Sequence, residues 1–266
     1  MIRIFKTYEG SKELREITEI ERESWVMMTD PNGAELQMVA EKYQIDLDDL
    51  RAPLDEEERS RLEHEDNYTM ILANIPVVRA EEGKRLYETI PLGIFITEKV
   101  VFTVCLEETN ILKQFTDGLV PNFYTYMKTR FVYQILYNNA ALFLVYLRMI
   151  DKRANQVEEI LHETSRNKDL IQLYDLEKCL VYFTTSLKSN EVVLEKLRKH
   201  IGLKHYEEDQ ELLEDVIIEN KQAMEMTYIY HNILRSTMSL FGSIIDNNLI
   251  QVMKFLAAIT IVLELP

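Results

Sequence analysis

Apolar residues change their spacing near residue 120, and that change divides the chain into two kinds of structure. Before it, short runs rich in β-branched and aromatic residues predict strands at Ile2 to Tyr8, Trp25 to Met28, Tyr68 to Val78, Tyr87 to Thr97 and Val100 to Cys105. Asn32 or Gly33 is placed to start a helix over Ala34 to Tyr43, and Asp46 to cap a second one running through Leu54. Thr97-Glu98-Lys99 separates two apolar runs and predicts a tight hairpin, so this part reads as an α/β module with a partly antiparallel sheet. Beyond Pro121 apolar residues recur every three or four positions, predicting helices from Asn122 to Glu163, Lys168 to His200 and Asp209 to the C-terminus. The breaks at Ser165-Arg166-Asn167 and Gly202 to Tyr206 leave room only for antiparallel hairpins. The expected fold is α+β: an N-terminal α/β domain with a mixed sheet over 1–120, a long helical hairpin over 121–206 and a very long C-terminal helix over 207–266.

At 1.5 Å per residue that last helix reaches roughly 85 Å, so it must pair with other helices or with copies of itself over most of its length. From Phe255 to Leu263 it is uncharged and almost wholly apolar, then Glu264-Leu265-Pro266 follow. The run is shorter than the ~20 residues that span a bilayer. It reads either as a buried core helix or as the beginning of a membrane span.

With 47% hydrophobic residues in 266 the chain can fill one large core or two smaller ones, and only 7 Gly and 6 Pro favour long helices over an all-β fold. The balance of 30 basic against 45 acidic residues, a net charge of −15, repels phosphate backbones and excludes nucleic acid as the expected partner. The same charge attracts divalent cations, though a solvated acidic surface has it too. Cys105 and Cys179 stand alone, with neither disulfide-framework nor zinc spacing, which fits a reducing compartment. The first residues lack the long apolar core of a signal peptide, and the folded bulk is expected in the cytoplasm. No enzyme is expected. His64, His162, His200, His205 and His231 never fall in a His-Glu-x-x-His arrangement, and there is no phosphate-cradling glycine loop and no Gly-x-Ser-x-Gly elbow. Glu57, Glu58 and Glu63 read as a charged helix start rather than a catalytic pair.

Leu212-Leu213-Glu214-Asp215-Val216-Ile217-Ile218-Glu219-Asn220-Lys221-Gln222-Ala223-Met224-Glu225-Met226, then Ser243-Ile244-Ile245-Asp246-Asn247-Asn248-Leu249 and Val252-Met253-Lys254-Phe255-Leu256, resemble the stalk helix of CorA-family magnesium channels. Ile259-Thr260-Ile261-Val262-Leu263 with Pro266 is similar to the start of that family's first membrane helix. Leu54 to Arg61, Ile90-Pro91-Leu92-Gly93-Ile94-Phe95 and Leu176 to Phe183 with Ser186-Leu187-Lys188 resemble its cytoplasmic domain, so the likeness covers most of the chain. The resemblance implies a cytoplasmic domain and stalk, with membrane helices and the Gly-Met-Asn tripeptide expected beyond a truncation inside the first membrane helix. It further implies a homopentamer in the cell membrane, multi-pass at full length, that carries Mg2+, with Co2+, Ni2+ or Zn2+ as alternative ions. The competing expectation is a soluble coiled-coil interaction protein with no ion-transport role.

Within that resemblance, Met253 stands where the family has a methionine that narrows the pore and gates it by excluding water. Ala257 and Glu264 share its helix face, since eleven positions are close to three turns. Ile250 replaces the family's usual asparagine, and Asn247, one turn earlier, is the candidate to meet the hydrated ion in its place. Asp246 and Asn247 read equally well as ordinary stalk polarity. Mg2+ gives up water reluctantly, so contacts along such a path are expected through water. Asp215 stands at the family's stalk-side carboxylate of an inter-subunit cation sensor. Its acidic partner would fall near Leu50, where Arg51 and Ala52 stand instead, leaving Asp48, Asp49 and Asp55 as substitutes. The run Glu207, Glu208, Asp209, Glu211, Glu214, Asp215 also serves a helix N-terminus through its dipole.

Overall fold

The computed structural model describes residues 1–81, 84–164, 167–199 and 207–264. Among the described residues seven strands, β1 (Ile2–Thr7), β2 (Leu14–Ile17), β3 (Trp25–Thr29), β4 (Arg61–His64), β5 (Tyr68–Glu81), β6 (Lys84–Thr97) and β7 (Val101–Cys105), form one sheet in the order β2-β1-β3-β7-β6-β5-β4. It is mixed: β3 and β7 run parallel, with Trp25 opposite Val101 and Thr29 opposite Cys105, and the other neighbours are antiparallel. Period-two alternation divides the side chains between two faces. Trp25 and Met27 point into one core with Ile71, Ala73 and Ile94, whereas Val26 and Met28 point into another with Met70, Leu72 and Phe95.

Two short helices cover the second face. α1 (Gly33–Tyr43) begins with a capping box, in which the Asn32 side chain accepts from Glu35 N–H and the Glu35 carboxylate accepts from Asn32 N–H, and it ends at Gln44 in the left-handed conformation. α2 (Leu47–Arg51) is capped by Asp46 and runs into a 3₁₀ turn at Ala52–Leu54. Pro53 of that turn lies so close to β6 that a Cβ on Gly93 would meet its Cγ at 2.3 Å. Only glycine admits this approach.

The first face carries α3 (Asn110–Thr116) and three long helices, α4 (Lys128–Thr164), α5 (Asn167–Lys199) and α6 (Glu207–Glu264). One continuous core joins the sheet to all of them, from an aromatic knot of Phe5, Trp25, Phe115, Phe123 and Phe131 out to Leu161, Leu173 and Phe241. Trp25 Nε1 donates to Thr103 Oγ1 at 2.8 Å, so the indole is buried without an orphaned donor. β5 is longer than β4, which pairs only as far as Leu72, and α5 completes the exposed edge beyond it. Asn190 accepts from Asn74 N–H at 2.9 Å and donates to Asn74 C=O at 2.8 Å, so a side-chain amide stands in for the next strand. Asn139 of α4 donates to the same carbonyl.

One boundary corrects the sequence reading. The first long helix begins at Lys128 rather than Asn122: Asn122 has φ 52°, and Thr125 is buried with Thr7, each backbone N–H donating to the other's hydroxyl. This tie to β1 holds 122–127 out of the helix. β2, β4 and α3 were not anticipated. The predicted breaks at Ser165-Arg166 and Gly202 to Tyr206, and the terminal Leu265 and Pro266, lie outside the described residues, while α6 runs unbroken through Gly242.

Candidate functional site

α6 is one helix of 58 residues with two distinct uses along its length. Leu213, Val216, Asn220, Ala223, Thr227, Leu234 and Phe241 are buried at steps of three, four or seven, the 3.5-residue period of a coiled-coil seam, and they pack on α4 and α5. The buried polar members are satisfied: Asn220 donates to Leu187 C=O at 3.2 Å and Thr227 to Ala223 C=O at 2.6 Å. Arg130 of α4 pairs with Glu208 at 2.8 Å, and Asp209 is buried, so part of the acidic run at the start of α6 anchors the helix. Glu211, Glu214 and Asp215 remain exposed.

None of the described residues after Phe241 is buried. Met253 is 61% exposed, Phe255 66% and Leu263 79%, so roughly the last 30 Å of the helix, at 1.5 Å per residue, stands bare, and its apolar run begins at Phe255. Among the described residues α6 is the helix long and apolar enough to cross a membrane.

A second stripe of the same 3.5-residue period runs along α6 away from the buried seam. It passes through Asp215, Ile218, Gln222, Glu225, Ile229 and Asn232, then Ser236, Ser239, Ser243 and Asp246, and reaches Ile250, Met253 and Ala257. All of these are exposed. The stripe thus lines up the candidates Asp215, Asp246, Ile250, Met253 and Ala257, with Asn247 beside it. It contains no Lys or Arg, although Lys221, Arg235 and Lys254 lie elsewhere on the helix. Glu264 falls in the same series, but its side chain lies outside the described residues. The serines were missed in the sequence, where their three-and-four spacing was the available signal. Ser236 and Ser243 donate to the carbonyls of Asn232 and Ser239, which leaves their oxygens turned outward as acceptors toward water.

The carboxylates proposed to meet Asp215 sit elsewhere. Asp49 on α2 is half-buried and accepts from the Tyr68 hydroxyl at 2.6 Å; burial, with this bond second, raises the Tyr68 pKa. Asp55 is exposed and its Oδ1 accepts from Glu57 N–H at 3.0 Å, while exposed Asp48 pairs with Arg51 at 3.2 Å. α2 and its 3₁₀ turn cover the sheet face opposite α6, so one subunit does not bring Asp215 together with Asp49 or Asp55. Among the described residues no three His, Cys, Asp or Glu are grouped to hold a metal.

The architecture is that of a head domain extended by a stalk helix whose far end suits a lipid environment. The family described as CorA-like Mg2+ transporter protein matches residues 21–266, and the chain belongs to this family of membrane transporters. It is 26% identical over 251 residues, 91% of this chain and 76% of the relative, to the cobalt/magnesium transport protein CorA of Methanocaldococcus jannaschii. The complete structure of the magnesium transporter CorA from that organism is similar over 98% of this chain and 82% of its own, with TM-score 0.84 at 24% identity. The structure of its soluble domain is similar over 90% of this chain and 95% of its own, with TM-score 0.77 at 25% identity.

Proposed function

We propose that this chain forms the cytoplasmic domain and stalk of a homopentameric channel for Mg2+, with Co2+ as a second ion. The observation that carries this reading is the exposed stripe of α6, free of cationic side chains, polar from Asn232 to Asp246 and apolar at Ile250, Met253 and Ala257. Five such stripes facing a common axis make a path whose hydroxyls, amides and carboxylates hold the waters of a hydrated cation, followed by a collar that excludes water. The family membership and the relative's name, cobalt/magnesium transport protein, support the ion assignment. A soluble coiled-coil protein would have its seam free for a partner, whereas the heptad seam of α6 is already occupied by α4 and α5.

Cation sensing is assigned to subunit contacts. Asp215 of one subunit faces Asp55 or Asp49 of the next, and the carboxylates repel unless a divalent ion bridges them. Asp55 suits this better, because Asp49 already accepts from Tyr68. In proteoliposomes of the assembled protein, Met253→Asp wets the collar and raises Mg2+ uptake. Wild-type uptake in an assembled Met253→Asp protein removes Met253 from the pore. Asp215→Ala is expected to reduce the rise in melting temperature given by millimolar Mg2+, and an equal rise in both proteins makes Asp215 a solvated helix residue.

A further inference from the structure

A cleft of about 490 Å³ opens between β6 and the helical hairpin of α4 and α5. Its lining includes Arg85 of β6 with Lys152 and Arg153 of α4, three cations in a chain whose net charge is −15. Among the described residues none of the three is ion-paired with a carboxylate. Asp175 is the carboxylate in the lining, so the cleft keeps an excess of positive charge. The Arg153 guanidinium is fixed by neutral amides: Nη2 donates to Gln172 Oε1 at 2.8 Å and Nη1 to Gln156 Oε1 at 3.4 Å. Gln172 is itself held, its Nε2 donating to Asp169 Oδ1 at 3.0 Å, and Asp169 is buried behind it. The guanidinium is therefore pre-positioned without a direct counter-charge, as an anion site requires. Leu86, Tyr87, Met149 and Leu176 give the cleft an apolar wall as well.

We propose that this cleft binds a soluble organic anion bearing phosphate, of the size of a nucleoside diphosphate. The phosphates meet Arg85, Lys152 and Arg153, where a planar guanidinium offers paired donors to phosphate oxygens. The apolar wall takes the ring system, and the volume lies within the range of small-molecule sites. Membrane lipids offer the same phosphate chemistry, but the cleft is remote from the apolar run at the end of α6. Tyr230 to Thr237 of α6 lie beside Ile150 to Glu158 of α4, and the apolar run begins at Phe255, about 30 Å further along the helix.

Equilibrium dialysis of the full chain with radiolabelled ADP in Mg2+-free buffer tests the assignment, with adenosine, inorganic pyrophosphate and the short-chain lipid dioctanoyl phosphatidylglycerol as competitors. Saturable ADP binding is expected, weakened roughly tenfold or more by Arg153→Gln. The triple substitution Arg85→Gln, Lys152→Gln and Arg153→Gln is expected to abolish it, and Arg235→Gln on α6 to leave it unchanged. Adenosine is expected to compete poorly, and pyrophosphate more weakly than unlabelled ADP. No saturable binding, binding unaffected by the triple substitution, or adenosine competing as well as ADP overturns the proposal. Pyrophosphate matching ADP overturns the role of the apolar wall, and displacement by the lipid at lower concentration than by ADP overturns the soluble ligand.

Discussion

Replacing Asn190 tests whether a side-chain amide closes the sheet edge. Its carboxamide accepts from Asn74 N–H at 2.9 Å and from Ser60 Oγ at 2.8 Å and donates to Asn74 C=O at 2.8 Å, at 4% exposure. In Asn190→Leu all three bonds are lost. Asn74 keeps the Ser60 hydroxyl as acceptor and Asn139 as donor, so its backbone groups are not fully orphaned. At about 1 kcal/mol net per bond the loss is about 3 kcal/mol, or roughly 6–12 °C in melting temperature for a chain of this size. Trp25 is the sole tryptophan and lies in the same core, so its fluorescence follows unfolding of the sheet in urea, in a mild detergent that covers the exposed end of α6. Asn190→Asp separates the hydrogen bonds from volume. A protonated carboxyl can donate to Asn74 C=O and a carboxylate cannot, so its folded-state pKa is raised above the unfolded value near 3.9. The bond then contributes fully below about pH 4 and is lost as pH rises through the folded pKa, making Asn190→Asp most destabilised at neutral pH. A loss under about 0.5 kcal/mol in Asn190→Leu, or a pH-independent deficit in Asn190→Asp, refutes the idea.

Two glycines should respond in opposite ways. Gly93→Ala forces a methyl onto Pro53 and is expected to cost about 1–3 kcal/mol; Gly242→Ala meets nothing within 4 Å and is expected to stabilise α6 by up to about 1 kcal/mol. Urea denaturation compares the two, and equal midpoints would contradict the packing. Burial pushes the Cys105 thiol up to about 12 and raises that of Cys179, so neither should react with a thiol reagent at pH 8 until the chain unfolds. With folded pKa values raised, the two thiols contribute stability that is complete below about pH 8.5 and declines as pH rises beyond it. Stability that grows between pH 9 and 11 in wild type but not in a double Cys→Ser variant would contradict this assignment.

What could be read from the sequence depended on whether a signal was local. Strands β1, β3, β5, β6 and β7 carry apolar runs because at least one of their faces is buried, and the caps at Asn32 and Asp46 act within three residues. β2, with Leu14-Arg15-Glu16-Ile17, and β4, with Arg61-Leu62-Glu63-His64, are edge strands, whose charges on the open side hide their period. Asn122 to Met127 reads as helix by spacing, and long-range contacts, Thr125 with Thr7 and Phe123 with the aromatic knot, draw it out. The acidic start of α6 shows the same limit. By composition its carboxylates are alike, but Glu208 meets Arg130 and Asp209 is buried, while Asp215 stays exposed at the head of the outer stripe. Once α4 and α5 have taken the seam from Leu213 to Phe241, the heptad period fixes which residues face outward. Asp215 and Met253 then belong to one surface because the helix between them is unbroken.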